Sequence, residues 1–199
     1  MPIILIPLLI LAYLLGSLTP SIWVTKWVKG VDVRDGGSGH ATTTNTIRQA
    51  GFGPGALVLA VDLAKGFLPT YLALQFLPNA YWAIPVAIIA VIGHCWPIFA
   101  GFRGGMGLAT AGGALLANSP LALLAAFALL LLLLLIMRHA AKATIFTALL
   151  IAPLFWALGF DAQQIMLAAG IGLVIGFRFL SDWNRKYREL WLDREKPEV

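Results

Sequence analysis

Two short stretches of this chain combine glycine with hydroxyl, amide and guanidinium groups, the residue types that hold a phosphate. The first reads Gly36-Gly37-Ser38-Gly39-His40-Ala41-Thr42-Thr43-Thr44-Asn45, with Arg48 one turn beyond. The second reads Phe102-Arg103-Gly104-Gly105-Met106-Gly107. Glycines let successive backbone N–H groups converge into an anion-binding nest, and a helix that begins just after such a loop points its positive end at the same anion. Ser38, Thr44 and Asn45 add side-chain hydrogen bonds to phosphate oxygens, and Arg48 and Arg103 add planar forks. One glycine-rich loop alone is equally a flexible turn. Two of them, each leading into a helix and each within reach of an arginine, favour a phosphorylated ligand.

Three titratable residues, Asp62, Lys65 and His94, fall inside long apolar runs. Polar groups at membrane depth are costly, so each is a functional candidate. At ~1.5 Å rise per residue, Asp62 lies roughly 12 Å inward from Pro54, Lys65 roughly 16 Å, and His94 roughly 13 Å inward from Arg103. The three share one depth. Spaced i,i+3 on one helix face, Asp62 and Lys65 neutralise each other, which makes them a structural pair beneath the loops. His94 is either a satisfied core histidine or a group that positions or deprotonates a hydroxyl. Cys95, the single cysteine, excludes an intramolecular disulfide and a multi-cysteine metal site. No metal or cofactor is expected.

The elements that must position these groups are read from composition. The chain is 60% hydrophobic and 12% charged, with a mean hydropathy of +0.86, and such a chain is at home in lipid. Its net charge of +5 does not point to nucleic acid, because the basic residues flank apolar runs rather than sharing one wet face. The first twenty residues lack the charged start and small-residue cleavage site of a signal peptide and read as a retained span. Apolar length and Pro/Gly punctuation predict spans at 3–25, 54–77, 80–101, 107–118, 120–138, 143–159 and 163–181. The short fourth span is rich in small residues and reads as lining a cavity. Gly172-x-x-x-Gly176 reads as a packing face, and the leucine run 124–135 as lipid-facing helix. No internal repeat supports an inverted-repeat transporter.

Lys and Arg fall in alternate loops: Lys26, Lys29, Arg34 and Arg48, then Arg103, then Arg138 and Lys142, then Arg178 and the C-terminal tail. The loops near 78–80, 118–120 and 160–162 contain none. The positive-inside rule then predicts an all-α polytopic membrane protein of about seven transmembrane helices, N-terminus outside and C-terminus cytoplasmic. One integral-membrane domain is expected over 1–183, followed by a charged tail at 184–199.

The order Gly16-Ser17, Lys29-Gly30-Val31-Asp32-Val33-Arg34, Gly37-Ser38-Gly39, Thr44-Asn45, Arg48 and Gly51 closely resembles the first motif of the bacterial acyl-phosphate:glycerol-3-phosphate acyltransferases, the PlsY family. Asp62-x-x-Lys65-Gly66, Gly93-His94-x-x-Pro97-x-Phe99 and Phe102-x-Gly104-Gly105-x-Gly107-x-Ala109-Thr110 resemble its second block. The resemblance, running from about residue 10 to Arg178, implies a seven-helix enzyme of the bacterial inner membrane. Such an enzyme moves a fatty acyl group from acyl phosphate to the 1-hydroxyl of glycerol 3-phosphate. The product is lysophosphatidic acid, an intermediate of phospholipid synthesis, and neither acyl-CoA nor metal is used. The implied partners are acyl phosphate, glycerol 3-phosphate and membrane lipid, with the protein a monomer.

Carried over residue by residue, the resemblance puts phosphate on Arg48, Arg103 and Arg178, with the backbone around Gly37, Gly39, Gly104, Gly105 and Gly107, and with Thr44 and His40 beside it. Ser38, Asn45 and His94 would position the acceptor hydroxyl and the acyl carbonyl. The chain departs from the family pattern where His40 replaces an asparagine, Thr42 a glycine and Met106 a lysine, and where Phe179-Leu180-Ser181-Asp182 replaces a His-Arg-Glu-Asn run. These departures mark a divergent member, and they suggest that His40 compensates for the charge absent at Met106. The rivals are a non-catalytic or substrate-shifted paralogue that binds a phosphorylated lipid precursor, and a transporter of a phosphorylated metabolite.

Overall fold

A computed structural model describes residues 2–185, so most of the tail expected at 184–199 lies outside the described residues. Among those described, the regular structure is helical throughout, in the order α1 (Leu5–Gly16), α2 (Pro20–Lys29), α3 (Thr43–Ala50), α4 (Phe52–Phe76), α5 (Ala83–Cys95), α6 (Leu108–Asn118), α7 (Pro120–Met137), α8 (Ala140–Ala157) and α9 (Ala162–Leu180). Among the described residues, six segments are long and apolar enough to cross a membrane, the first being α1 and α2 taken together, while α6 is shorter. The helix starts follow the sequence. Pro120 opens α7 behind a Ser119 side chain that accepts the Ala122 N–H, and Asp161 with Gln164 forms a capping box at α9.

The predicted first span is interrupted. Proline at the first position of α2 disfavours helical backbone at Thr19, which sits at φ −117°, ψ 71°. The interruption frees the Leu18 carbonyl, and the buried Lys65 ammonium donates to it at 2.6 Å. The first loop is also more ordered than a flexible turn, since it contains α3.

Close approach sets the packing of the short helix. A Cβ on Gly66 of α4 would fall on the Thr110 carbonyl oxygen, and one on Gly113 of α6 on the Leu63 carbonyl oxygen, so the two backbones meet where both lack a side chain. Gly172 and Gly176 of α9 lie against Ala148 of α8, the packing face expected there. Helix α7 buries only Ala122. One side of its leucine run is not left to lipid, however, because Leu123, Phe127 and Leu130 wall a cavity shared with α6, α8 and α9.

The basic segments gather at one end of the bundle. The Arg34 guanidinium reaches the Ala100 carbonyl, Ala41 N–H donates to Gly104, Arg178 reaches Gly105, and the Lys142 ammonium stands 5.4 Å from the Trp183 ring. At the other end Gln163 donates to the Ala80 carbonyl, and Leu5 and Leu8 of α1 pack with Leu77 and Ala83. The ends of α1 and α9 nearest the termini therefore lie at opposite ends of the bundle.

Candidate active site

The first glycine-rich loop is shaped from within by Asn45. Its Oδ1 accepts the Ser38 N–H at 3.2 Å, and its Nδ2 donates to Val33 O at 2.8 Å and to Gly36 O and His40 O at 3.1 Å each. Gln49 adds a donor to Val33 O at 2.7 Å. Gly37, at φ +58°, is required because a Cβ there would land on Asn45 Oδ1. With the side chain fully buried and both its polar atoms bonded within the loop, Asn45 organises the loop.

What the loop presents is different. Thr42 caps α3 by accepting the Asn45 N–H at 3.2 Å. Ser38, Thr43, Thr44 and Arg48 then line one wall of the cavity. The first-turn N–H groups of any helix lack intrahelical partners, and those of α3 and α6 both start at this wall, since Gly107, Leu108 and Ala109 line it as well. Thr43, which sequence reasoning passed over, has a buried hydroxyl oxygen without a hydrogen-bond partner.

The second glycine-rich loop is used otherwise. Gly105 N–H is spent on the His94 carbonyl at 3.1 Å, and its own carbonyl accepts from Arg178 Nε at 3.1 Å. A Cβ on Gly105 would fall on His94 Nε2, and one on Gly104 on the His94 carbonyl. These glycines let the loop sit directly on His94 rather than open a nest, so the expected backbone donor at Gly105 is not free. Arg103 is exposed and does not line the cavity. Met106 is 7% exposed and packs with Cys95 and Ile175.

Beneath that loop the three groups expected at one depth do meet. Lys65 Nζ lies 2.9 Å from Asp62 Oδ1, and His94 Nδ1 lies 3.5 Å from the same oxygen. Asp62 and His94 reach the cavity, whereas Lys65 points to Leu18.

His40 and Arg178 are not among the residues lining the cavity and face each other. His40 Nε2 sits 3.0 Å from Asp182 Oδ2, and His40 Nδ1 lies 3.4 Å from an Arg178 terminal nitrogen. Arg178 also donates to the Gly105 carbonyl, so the two side chains join both loops to the turn after α9. Arg34, quoted in the sequence only as part of a pattern, ties the loops together. It pairs with Asp32 at 2.7 Å and donates to Ala100 O at 2.9 Å. The hydrogen bond from the Arg34 side chain holds the Asp32 carboxyl below its ordinary range.

The cavity holds about 610 Å³. Its polar lining comes from the first loop and α3 with Asp62, His94, Thr144 and Thr147, and Leu63, Leu115, Phe127, Ile151 and Ile171 give it apolar walls. Such a shape takes an amphiphile with a polar head at the loops and a hydrocarbon tail between α6, α7, α8 and α9.

A family profile described as glycerol-3-phosphate acyltransferase matches residues 6–189. The chain is 36% identical over 184 residues to the glycerol-3-phosphate acyltransferase of Halalkalibacterium halodurans, covering 89% of each. It is 38% identical over 180 residues to that of Aquifex aeolicus, covering 89% of this chain and 93% of the other. Among solved structures it is similar to PlsY, an integral membrane glycerol 3-phosphate acyltransferase, in its glycerol 3-phosphate form, with a TM-score of 0.80 and 35% identity over 91% of this chain and 90% of that one. The lysophosphatidic acid form of that protein gives a TM-score of 0.79.

Proposed function

We propose an assignment of the site on one premise: the chain belongs to the glycerol-3-phosphate acyltransferase family. It is accordingly a membrane acyltransferase that acylates glycerol 3-phosphate on the way to phospholipid. The donor is an acyl phosphate, and the protein works as a monomer in the cytoplasmic membrane of a bacterium, with the basic end of the bundle facing the cytoplasm.

The observation that carries the site assignment is the polarity of the cavity. Ser38, Thr43, Thr44 and Arg48 line it together with Asp62, His94, Thr144 and Thr147, and hydrocarbon side chains make up most of the rest. Arg48 and the first turns of α3 and α6 hold phosphate oxygens. The acyl tail lies along Leu115, Phe127, Ile151 and Ile171. Ser38 and His94 orient the acceptor hydroxyl and the carbonyl.

The 1-hydroxyl oxygen of glycerol 3-phosphate attacks the acyl carbonyl carbon, a C–O bond forms, and the bond from that carbon to the phosphate oxygen breaks. The hydroxyl proton leaves on the departing phosphate. An already activated donor needs no covalent enzyme intermediate. Orientation of the two substrates, with N–H and hydroxyl donors at the tetrahedral oxyanion, supplies the rate. His94 acts here by position, since its Nδ1 faces Asp62 and its Nε2 lies under Gly105.

Purified protein given acyl phosphate and glycerol 3-phosphate should form lysophosphatidic acid and inorganic phosphate in equal amounts. Binding of glycerol 3-phosphate without turnover would instead favour the non-catalytic or substrate-shifted reading, to which Met106 in the cavity wall lends its support.

A further inference from the structure

We infer that Asp182 is a positioning residue for the acceptor site: through His40 and Arg178 it clasps the first glycine-rich loop, the second, and the end of α9 into one unit. The inference rests on the acyl-transfer reading above.

Asp182 is 2% exposed. Its two carboxylate oxygens lie 3.2 and 3.0 Å from His40 Nε2, across 142 residues of sequence. His40 Nδ1 faces an Arg178 terminal nitrogen at 3.4 Å, and Arg178 Nε donates to Gly105 O at 3.1 Å. The nearer partners, Asp182 at Nε2 and Arg178 at Nδ1, match one form of the ring, with Arg185 the more distant neighbour of Nε2 at 3.4 Å. Nε2 carries the proton and donates to the carboxylate, while Nδ1 accepts from the guanidinium. A relay of Asp182, His40, Arg178 and Gly105 results, with the His40 carbonyl also held by Asn45 at 3.1 Å. Ser38, two residues before His40, lines the cavity. Its hydroxyl is thereby placed from the far end of the chain.

The neutral ring is essential to the relay. Among the described residues, the charged groups facing His40 come from α9 and the turn after it: Asp182, Arg178, and Arg185, whose guanidinium is 3.4 Å from Nε2. A second ring proton would place an N–H against the Arg178 N–H groups and cut the link to the second loop. Burial, with help from the two arginines, lowers His40 from its ordinary 6.5, while Asp182 pulls the other way. As pH falls from 6.5, the unfolded chain therefore binds the proton before the folded one does, and acidification weakens the clasp; above 6.5 it is intact.

The test compares Asp182→Ala with Asp182→Asn in purified protein, following KM for glycerol 3-phosphate, kcat, and the pH profile of kcat/KM. Alanine removes the acceptor and should raise KM about fivefold or more, with a smaller change in kcat. Asparagine keeps an acceptor for Nε2–H and should restore most of the affinity. It should also move the acid limb to lower pH, because the carboxylate that favours protonation of His40 is gone. A KM and acid limb that match the unaltered protein in both variants would overturn the inference.

A second readout does not depend on turnover. In a Cys95→Ala, Ser38→Cys background, a soluble thiol reagent should label the loop several times faster when Asp182 is alanine and at nearly the parent rate when it is asparagine. Equal rates in all three would overturn the clasp even in a protein without acyl-transfer activity, whereas absent turnover with the expected labelling would sink only the functional reading.

Discussion

The two glycine-rich loops look alike in the sequence and do opposite things. In the first, glycine makes room for Asn45, the loop closes around that amide, and the chain leaves it by starting α3 with Thr43, Thr44 and Arg48 on the cavity. In the second, glycine makes room for His94, and the loop becomes a plate lying on it. The first is organised so that side chains can meet a ligand. The second is organised so that something stays still beneath it. Glycine content reports that a backbone must come close to something, and it is silent on whether that something is a substrate or a neighbouring side chain.

The largest expected effect lies under the second loop. Lys65 and Asp62 are both buried and form an ion pair, and His94 stands on the same carboxylate. Removing one partner of such a pair typically costs ~3–5 kcal/mol, because a charge is left uncompensated, whereas removing both is often mild. Lys65→Met should therefore lower the thermal unfolding temperature far more than the Asp62→Asn, Lys65→Met double variant. If Lys65→Met is as stable as the unaltered protein yet inactive, the pair belongs to the chemistry and the plate is not a passive one.

A smaller contrast separates organiser from ligand within the first loop. Asn45→Ala leaves the Ser38 N–H without its acceptor, at a cost of about 1–3 kcal/mol for a buried donor, while the Val33 and Gly36 carbonyls keep Gln49 and the His40 carbonyl keeps the Thr42 N–H. Stability and activity should fall together. Arg48→Ala should leave the unfolding temperature close to that of the parent and weaken phosphate binding roughly ten- to hundredfold, the worth of a charge-assisted hydrogen bond of ~1.5–3 kcal/mol. Should Asn45→Ala retain its unfolding temperature while losing turnover, the amide touches substrate and the division of labour drawn here is wrong.

The all-helical fold was legible because membrane helices satisfy their own backbone groups and so must be long apolar runs. The convergence of Asp62, Lys65 and His94 was legible from helix rise alone. Other features were out of reach for one physical reason: helix rise and turn chemistry are local, but a polar side chain's partner is set by which segments approach. His40 meets Asp182 from the far end of the chain, and nothing local to either residue announces it. The break at Thr19 is signalled only by Pro20, and an apolar stretch of the right length otherwise reads as one helix. The same locality hides the bonds of Asn45, whose amide ties together backbone groups up to twelve residues away.

Arg103 should give the smallest effect, and it measures how far the second loop takes part in binding at all. By sequence it matches Arg48, an arginine beside a glycine-rich turn, yet Arg48 lines the cavity and Arg103 is exposed outside it. A solvent-exposed guanidinium contributes little as a contact, but it still attracts phosphate dianions within a Debye length of about 8–10 Å at physiological salt. Arg103→Gln should then lower kcat/KM for glycerol 3-phosphate by less than about threefold at low ionic strength, through slower association. In 0.5 M salt, where the screening length falls to about 4 Å, the difference should vanish. Arg48→Ala should remain impaired there, because a contact inside the cavity is screened much less. A loss beyond tenfold at Arg103 that persists in high salt would mean that its side chain swings inward once phosphate is bound, making the second loop a ligand-binding element like the first.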